Sequence, residues 1–166
     1  MNIRTFKKSD ATEVSDLVRT TLRISNSKDY TQEYIKDAIA SHSPEEIATY
    51  NDDTHMYVVC DGDKIVGCGG ITGYWGSLTE SFLKTIFVLP EYQDKGIGRM
   101  IIDTLEADDY YKRAWRTEVA ASLTAVGFYE HLGYTFKGTN HTPDEFGTIR
   151  MEKIKKISKT IYNKKA

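Results

Sequence analysis

The sequence is poor in the residues that build extracellular and membrane proteins. Its two cysteines, Cys60 and Cys68, are too few for a disulfide framework or a cysteine-based metal site. No apolar run approaches the length of a membrane span, and the opening MNIRTFKKSD has no signal-peptide apolar core. Together these absences lead to the expectation of a cytoplasmic protein with no membrane partner. The four histidines show no metal-ligand spacing, so no metal is expected. No Ser/His/Asp or Cys/His nucleophile has local sequence wording. Internal repeats are lacking, and the one biased segment is a lysine-rich end.

What remains is an ordinary globular composition. With 166 residues, 40% hydrophobic and 28% charged, the chain fits one domain with a substantial core. The net charge of −2 is unevenly spread. The last fourteen residues, KIKKISKTIYNKKA, hold six lysines and no acid, which leaves −8 for residues 1–152. A basic end can touch nucleic acid or membrane, or can simply be solvated. The acidic body argues against a nucleic-acid surface and leans towards a cationic acceptor.

Residues 3–6 read as a short first strand. Asp10 and Glu13 form a capping-box-like pair before Val14, Leu17, Val18 and Leu22, which fall on one helical stripe. Thr31 can cap a helix bearing Tyr34, Ile35, Ala38 and Ile39. Ser43-Pro44-Glu45-Glu46 starts another, with proline in the first turn and a glutamate placed to reach back. Residues 56–60 and 64–72 flank Asp61-Gly62-Asp63, a hairpin signature. That register sets Cys60 near Ile65 and Cys68 near Tyr57, so the thiols should not pair. Gly73-Tyr74-Trp75-Gly76 reads as a loop, bordering a site or covering a sheet edge. Residues 108–113 read as a polar link, 115–120 as a strand and 122–132 as a helix closed by Gly133. Residues 134–137 and 148–154 suggest a closing strand pair.

The most informative stretch is 81–106, SFLKTIFVLPEYQDKGIGRMIIDTLE. Ile86, Phe87, Val88 and Leu89 form a β-prone run that Pro90 ends. After Gly96 and Gly98, residues Ile97, Ile101, Ile102 and Leu105 share one face of a helix. A glycine turn at a helix N-terminus presents unpaired N–H groups and partial positive charge to an anion. It can also be a strand–helix turn that binds nothing. A Walker A loop is excluded, because Gly98 is followed by Arg99 and Met100, and a dinucleotide fingerprint would need a small residue where Ile101 stands.

The pattern [QR]-x-x-G-x-[GA] fits, as Gln93-Asp94-Lys95-Gly96-Ile97-Gly98, preceded by Val88-Leu89-Pro90-Glu91-Tyr92. This phrase resembles the acetyl-CoA pyrophosphate loop of the GNAT N-acetyltransferase superfamily. Downstream, Ser122, Ala125, Phe128, Tyr129, Gly133 and Tyr134 resemble that superfamily's second signature, and Ile3-Arg4 with Asp10 resembles its opening. The resemblance spans residues 3–154, although 81–134 carry the diagnostic wording. It implies a single α/β (α+β) domain over 1–154, with a mixed, mostly antiparallel central sheet flanked by helices, and a lysine-rich tail over 155–166. It implies acetyl-CoA as co-substrate and direct transfer of its acetyl group to a primary amine of a small molecule or peptide. Homodimers are frequent among the proteins it resembles, so one is a further expectation.

The implied cofactor contacts are Ile86, Phe87 and Val88 beside the pantetheine arm, Gln93, Asp94, Lys95, Gly96, Ile97, Gly98 and Arg99 around the pyrophosphate, and Ser122 and Phe128 nearby. Tyr129 matches the position of the general acid. A phenol is protonated at neutral pH and can donate to a leaving thiolate, but this tyrosine could also be a core residue. Phe82 stands where many relatives carry a glutamate base. Glu80, two residues earlier, points to the same face about 7 Å away and could act directly, through water or not at all. His55, His131 and His141 are other candidates. Tyr30, Tyr34 and Tyr50 could line an acceptor cleft or be packing residues. The missing glutamate keeps one alternative open, a non-catalytic acyl-CoA-binding sensor or scaffold module.

Overall fold

The computed structural model describes residues 1–139 and 141–156, so most of the lysine-rich tail expected at 155–166 lies outside the described residues. Seven strands form one sheet: β1 (Asn2–Thr5), β2 (Thr54–Asp61), β3 (Lys64–Gly73), β4 (Glu80–Val88), β5 (Arg116–Ala121), β6 (Thr135–Phe136) and β7 (Ile149–Ile154). Their order is β1-β2-β3-β4-β5-β7-β6. Every pairing is antiparallel except β4 with β5, which run parallel. The helices are α1 (Ala11–Thr21), α2 (Gln32–Ala40), α3 (Pro44–Ala48), α4 (Ile97–Glu106), α5 (Asp109–Arg113) and α6 (Val126–His131). This is the single α/β domain with a mixed, mostly antiparallel sheet that the sequence implies.

Two apolar stripes hold the helices to the sheet. Ile97, Ile101, Ile102 and Leu105 of α4 are all buried. Each such side chain contributes about 1.5–3 kcal/mol when removed from water. They fit a groove made by glycines on β3: a Cβ at Gly69 would stand 2.3 Å from Ile101 Cγ2, and one at Gly67 would stand 3.0 Å from Ile97 Cγ2. Val14, Leu17 and Val18 of α1 are likewise buried, and α1 packs on β3, β4 and α3.

Local capping follows the sequence in part. Thr31 Oγ1 accepts the Tyr34 N–H and Ser43 Oγ accepts the Glu46 N–H. The Asp10–Glu13 pair behaves otherwise. Asp10 is taken by a bidentate Arg4 at 2.8 and 3.0 Å and by the Lys7 N–H, while Glu13 accepts the Ile65 N–H at 2.7 Å and so ties α1 to β3. A charged partner outcompeted the local box. A bulge at Val59/Cys60 moves Cys68 opposite Val58 rather than Tyr57, and both cysteines are free and buried. The polar link at 108–113 is helical, because the Asp108 carboxylate accepts the Tyr110 N–H at 2.8 Å and caps α5.

The feature that matters for function is a fork. β4 and β5 pair only from Glu80↔Arg116 to Leu83↔Val119, and then they part. Just beyond, Thr85 takes φ +54, where the β3–β4 register jumps between Cys68 and Gly70. This is a bulge, and it bends β4 away from its parallel neighbour. A β-branched residue with positive φ costs on the order of 1–3 kcal/mol and persists only where the surroundings fix it.

Candidate active site

One continuous cavity of about 1170 Å³ runs through the fork, from the turn before α4 to the region between β4 and the α2–α3 segment. Its first end is made largely of backbone. Asp94 and Gly96 both adopt positive φ, +59 and +80, and Gly96 is the N-cap of α4. The first helical bond of α4 is Met100 N–H to Gly96 O, so the N–H groups of Ile97, Gly98 and Arg99 have no acceptor within the helix. A Cβ on Gly96 would meet nothing within 4 Å, whereas one on Gly98 would touch the Phe128 ring at 3.1 Å. The space above Gly96 is open to a ligand. The surface of Gly98 is floored by an aromatic ring.

The sequence-expected residues at this end divide into three groups. Asp94, Gly96, Gly98 and Arg99 line the cavity. Gln93 lines it too, but its amide Nε2 is used internally, donating to Val88 O at 3.0 Å and Ser25 Oγ at 3.1 Å. Lys95 and Ile97 are not among the lining residues: the Lys95 ammonium lies 5.1 Å from the Tyr92 ring centre, and the Ile97 side chain is buried in the core.

The middle of the cavity is the slot between the parted strands. Ile86, Phe87 and Val88 line one side and Ala120, Ala121, Ser122 and Phe128 the other. Leu89 N–H donates to Val66 O on β3. Since backbone groups alternate in direction along a strand, the Val88 N–H and C=O face the slot; the carbonyl accepts from Gln93 and from Thr21 Oγ1 at 3.3 Å. Tyr129 closes the slot. Its ring is buried, edge-on to Phe128 at 5.1 Å and to Tyr134 at 5.6 Å. Its hydroxyl makes no hydrogen bond to another described residue, yet it is not a sealed, unsatisfied atom, so it meets the cavity. Burial pushes this phenol well above its ordinary pKa and keeps it protonated.

The far end is made of side chains from scattered segments: Tyr30, Tyr34, His42, Tyr50, Phe82, Lys84 and Thr148. Tyr30 and Tyr34 pack with ring centres 4.3 Å apart, and the Tyr30 hydroxyl accepts the Leu123 N–H at 3.2 Å. Their rings meet the backbone of Gly147, so the loop before β7 closes over them. His42 Nδ1 lies 2.7 Å from Ala38 O. A carbonyl only accepts, so Nδ1 carries the proton and Nε2 is the free ring nitrogen. Burial, with a smaller effect from the Lys84 charge, holds His42 below its ordinary pKa and keeps it neutral. Of the three cleft tyrosines, Tyr30 is pushed up to about 12 by burial.

Glu80, expected on the face of Phe82, is not among the residues lining this cavity. Its carboxylate accepts from Arg116 Nε at 2.8 Å, and Arg116 also bridges Glu118 and Glu152. Glu118, 1% exposed, takes further contacts from Lys137 and Arg150. Burial alone would raise the Glu118 pKa, but Arg116 and Lys137 outweigh it and hold the carboxyl below its usual range. Such a network fixes strands β4, β5 and β7 to one another and engages one oxygen of the Glu80 carboxylate. His55 is bound to Asp108 at 2.9 Å, away from the cavity, and His141 stacks on Phe136. His131 lines the cavity and His42, unconsidered from sequence, does too. The clue to His42 was its place between two capped helices, Thr31 and Ser43 marking a short turn that must come back over the sheet.

A parallel strand pair opened by a bulge, with a left-handed glycine turn and a helix N-terminus at its mouth, defines a class of fold with room for an extended, anionic arm. Comparison with known proteins makes the class specific. The GNAT acetyltransferase domain model matches residues 26–155, and the chain belongs to that family. The fold is shared with the PaiA N-acetyltransferase of Thermoplasma acidophilum in complex with coenzyme A, at TM-score 0.78 and 19% identity over 93% of this chain and 98% of that one. It is also shared with an aminoglycoside 6'-N-acetyltransferase complexed with coenzyme A, at TM-score 0.69 and 21% identity over 93% and 97%. An uncharacterised N-acetyltransferase of Chlorobaculum tepidum is 31% identical over 71 residues, and the match spans 43% of each chain. Among the described residues no helix is long and apolar enough to cross a membrane, and no group of three or more His, Cys, Asp or Glu could hold a metal.

Proposed function

We propose that the protein transfers the acetyl group of acetyl-CoA directly to the primary amine of a small molecule or peptide. One observation carries the reading: the Tyr129 hydroxyl and the Val88 N–H face the same slot at the fork of β4 and β5. The open turn at Gly96 and the free N–H groups of Ile97, Gly98 and Arg99 suit the pyrophosphate, with Arg99 adding charge. The exposed edge of Ile86, Phe87 and Val88 suits the amide-bearing arm, which pairs with it as an added strand. Gln93 and Ser25 brace the turn from within, and Lys95 contributes at long range only. Ser122 and Phe128 wall the slot.

The amine attacks the thioester carbonyl, an N–C bond forms and the C–S bond breaks. The Val88 N–H stabilises negative charge developing on the carbonyl oxygen. Tyr129 gives its proton to the departing thiolate. The amine proton passes to the free Nε2 of His42, directly or through water, in place of Glu80. A cytoplasmic setting goes with this reading.

Thiol release from acetyl-CoA over a panel of polyamines, aminoglycosides, amino acids and peptide N-termini tests it. Turnover on an amine in one of these classes is expected. Thermal stabilisation by acetyl-CoA with no turnover on any of them would replace the enzyme with the acyl-CoA-binding sensor or scaffold.

A further inference from the structure

We infer that the acceptor end of the cavity is built around Lys84 to hold a carboxylate, so that the amine acetylated here belongs to a small molecule that also carries an acid group. The inference rests on the transferase reading and deepens it by naming the acceptor class. Lys84 lies on β4 between Phe82 and the bulge at Thr85, on the cavity wall. No carboxylate of a described residue is within ion-pair reach of it; its ammonium lies over the face of the Tyr50 ring, 4.3 Å from the ring centre. The neighbouring cations on this side differ. Arg116, Lys137 and Arg150 are all consumed by Glu118 and its companions. Lys84 takes no part in that network.

The charges around it point the same way. Of the residues lining the whole cavity, Lys28, Lys84 and Arg99 are basic, and the one acid, Asp94, sits in the turn at the donor end. No acid among the described residues lines the acceptor end, and Glu46, whose charge is felt at Tyr50, is not part of the wall. Asp144 is near Tyr30 and Tyr34, but its oxygens already accept from the N–H groups of Phe146 and Thr148, from Thr148 Oγ1 and from Arg150 Nε, and it does not line the cavity. The charge of −8 on the body leans towards a cationic acceptor, but exposed charges are screened within about 8–10 Å at physiological salt, and the lining side chains decide. One ammonium matches one carboxylate. His42, Tyr50 and Lys84 line the same end of the cavity, with the Lys84 ammonium on the Tyr50 ring, so one small molecule can set its acid on Lys84 and its amine towards His42 Nε2.

The test compares amino acids, β-alanine and γ-aminobutyrate with their carboxamides, and with spermidine, at matched fractions of free amine. The acids should exceed their amides in kcat/KM by about tenfold or more, the scale of one charge-assisted hydrogen bond. Lys84→Met should bring the acid-to-amide ratio towards one, and Lys84→Glu should turn the preference towards spermidine. A ratio near one in the native protein, or a ratio that survives Lys84→Met, overturns the inference. If amides or spermidine are acetylated and acids are not, the transferase reading stands and this inference alone fails. If none of these amines releases thiol but an aminoglycoside or a peptide N-terminus does, this inference alone fails; if no amine of the wider panel does while acetyl-CoA stabilises the fold, both fail together.

Discussion

The two ends of the cleft are made of different material. The donor end is backbone: two left-handed turn residues, three helix N–H groups and a strand edge turned outwards by a bulge. The acceptor end is side chain: tyrosines from the loop before α2 and from α2 itself, a histidine held by the end of α2, a lysine from β4 and a threonine from the loop before β7. Backbone recognition depends on geometry that few sequences provide. Side-chain recognition depends on which segments meet, and it can be rewritten by one substitution. Variants at the acceptor end should therefore change turnover and selectivity, and variants at the donor end should change acetyl-CoA affinity.

The largest effect is expected from His42→Gln. A general base contributes roughly 10²–10⁴-fold, so acetylation of the best amine should fall by about 10²–10³ while acetyl-CoA binding holds. The pH profile sharpens this. The neutral imidazole accepts the proton, so wild-type kcat/KM should fall as pH drops through a His42 pKa that burial sets below 6.5. That limb should be missing in the variant; an unchanged limb would take His42 out of the proton path.

Tyr129→Phe comes next, with kcat lower by about a hundredfold at neutral pH and little change in the acetyl-CoA Kd. Full activity would reduce Tyr129 to packing. Because its phenol is held protonated by burial, no alkaline loss of activity near the ordinary tyrosine range should trace to it. Gly98→Val tests the donor end from the other side. Its branched side chain would collide with the Phe128 ring, and a lost turn-to-phosphate contact should raise the acetyl-CoA Kd by about tenfold. Calorimetry would read that shift directly, and an unaltered Kd would remove the pyrophosphate from this turn. The smallest effect should come from Tyr30→Phe. It deletes the acceptor for the Leu123 N–H, worth roughly 0.5–1.5 kcal/mol, and should raise KM for the amine a few-fold without touching the Kd of acetyl-CoA.

Legibility in the sequence divides along the same line. The apolar run of β4, the glycine turn and the stripe of α4 are local, and their residues sit in order along the chain with spacing that reports periodicity. The Tyr129 environment was readable for the same reason, since Phe128, Tyr129 and Gly133 share one helix and its cap. For Glu80, strand alternation gives a face but not a partner; Arg116, 36 residues later in the chain, takes one oxygen of its carboxylate. Asp10 is a similar case, its box broken by Arg4. His42 and Lys84 could not be paired on paper, because only the return of α2 and α3 over the sheet makes them neighbours.

The fork between β4 and β5 has a further consequence. Its walls are strand edges whose mutual pairing stops at Leu83↔Val119, so what it offers an occupant is strand hydrogen bonding rather than a side-chain pocket. On the proposed transferase reading, a donor is recognised by amides that pair with the strand edge, and a short thioester carrying the same acetyl group but no amide-bearing arm should find the chemistry in place and nothing to hold it there.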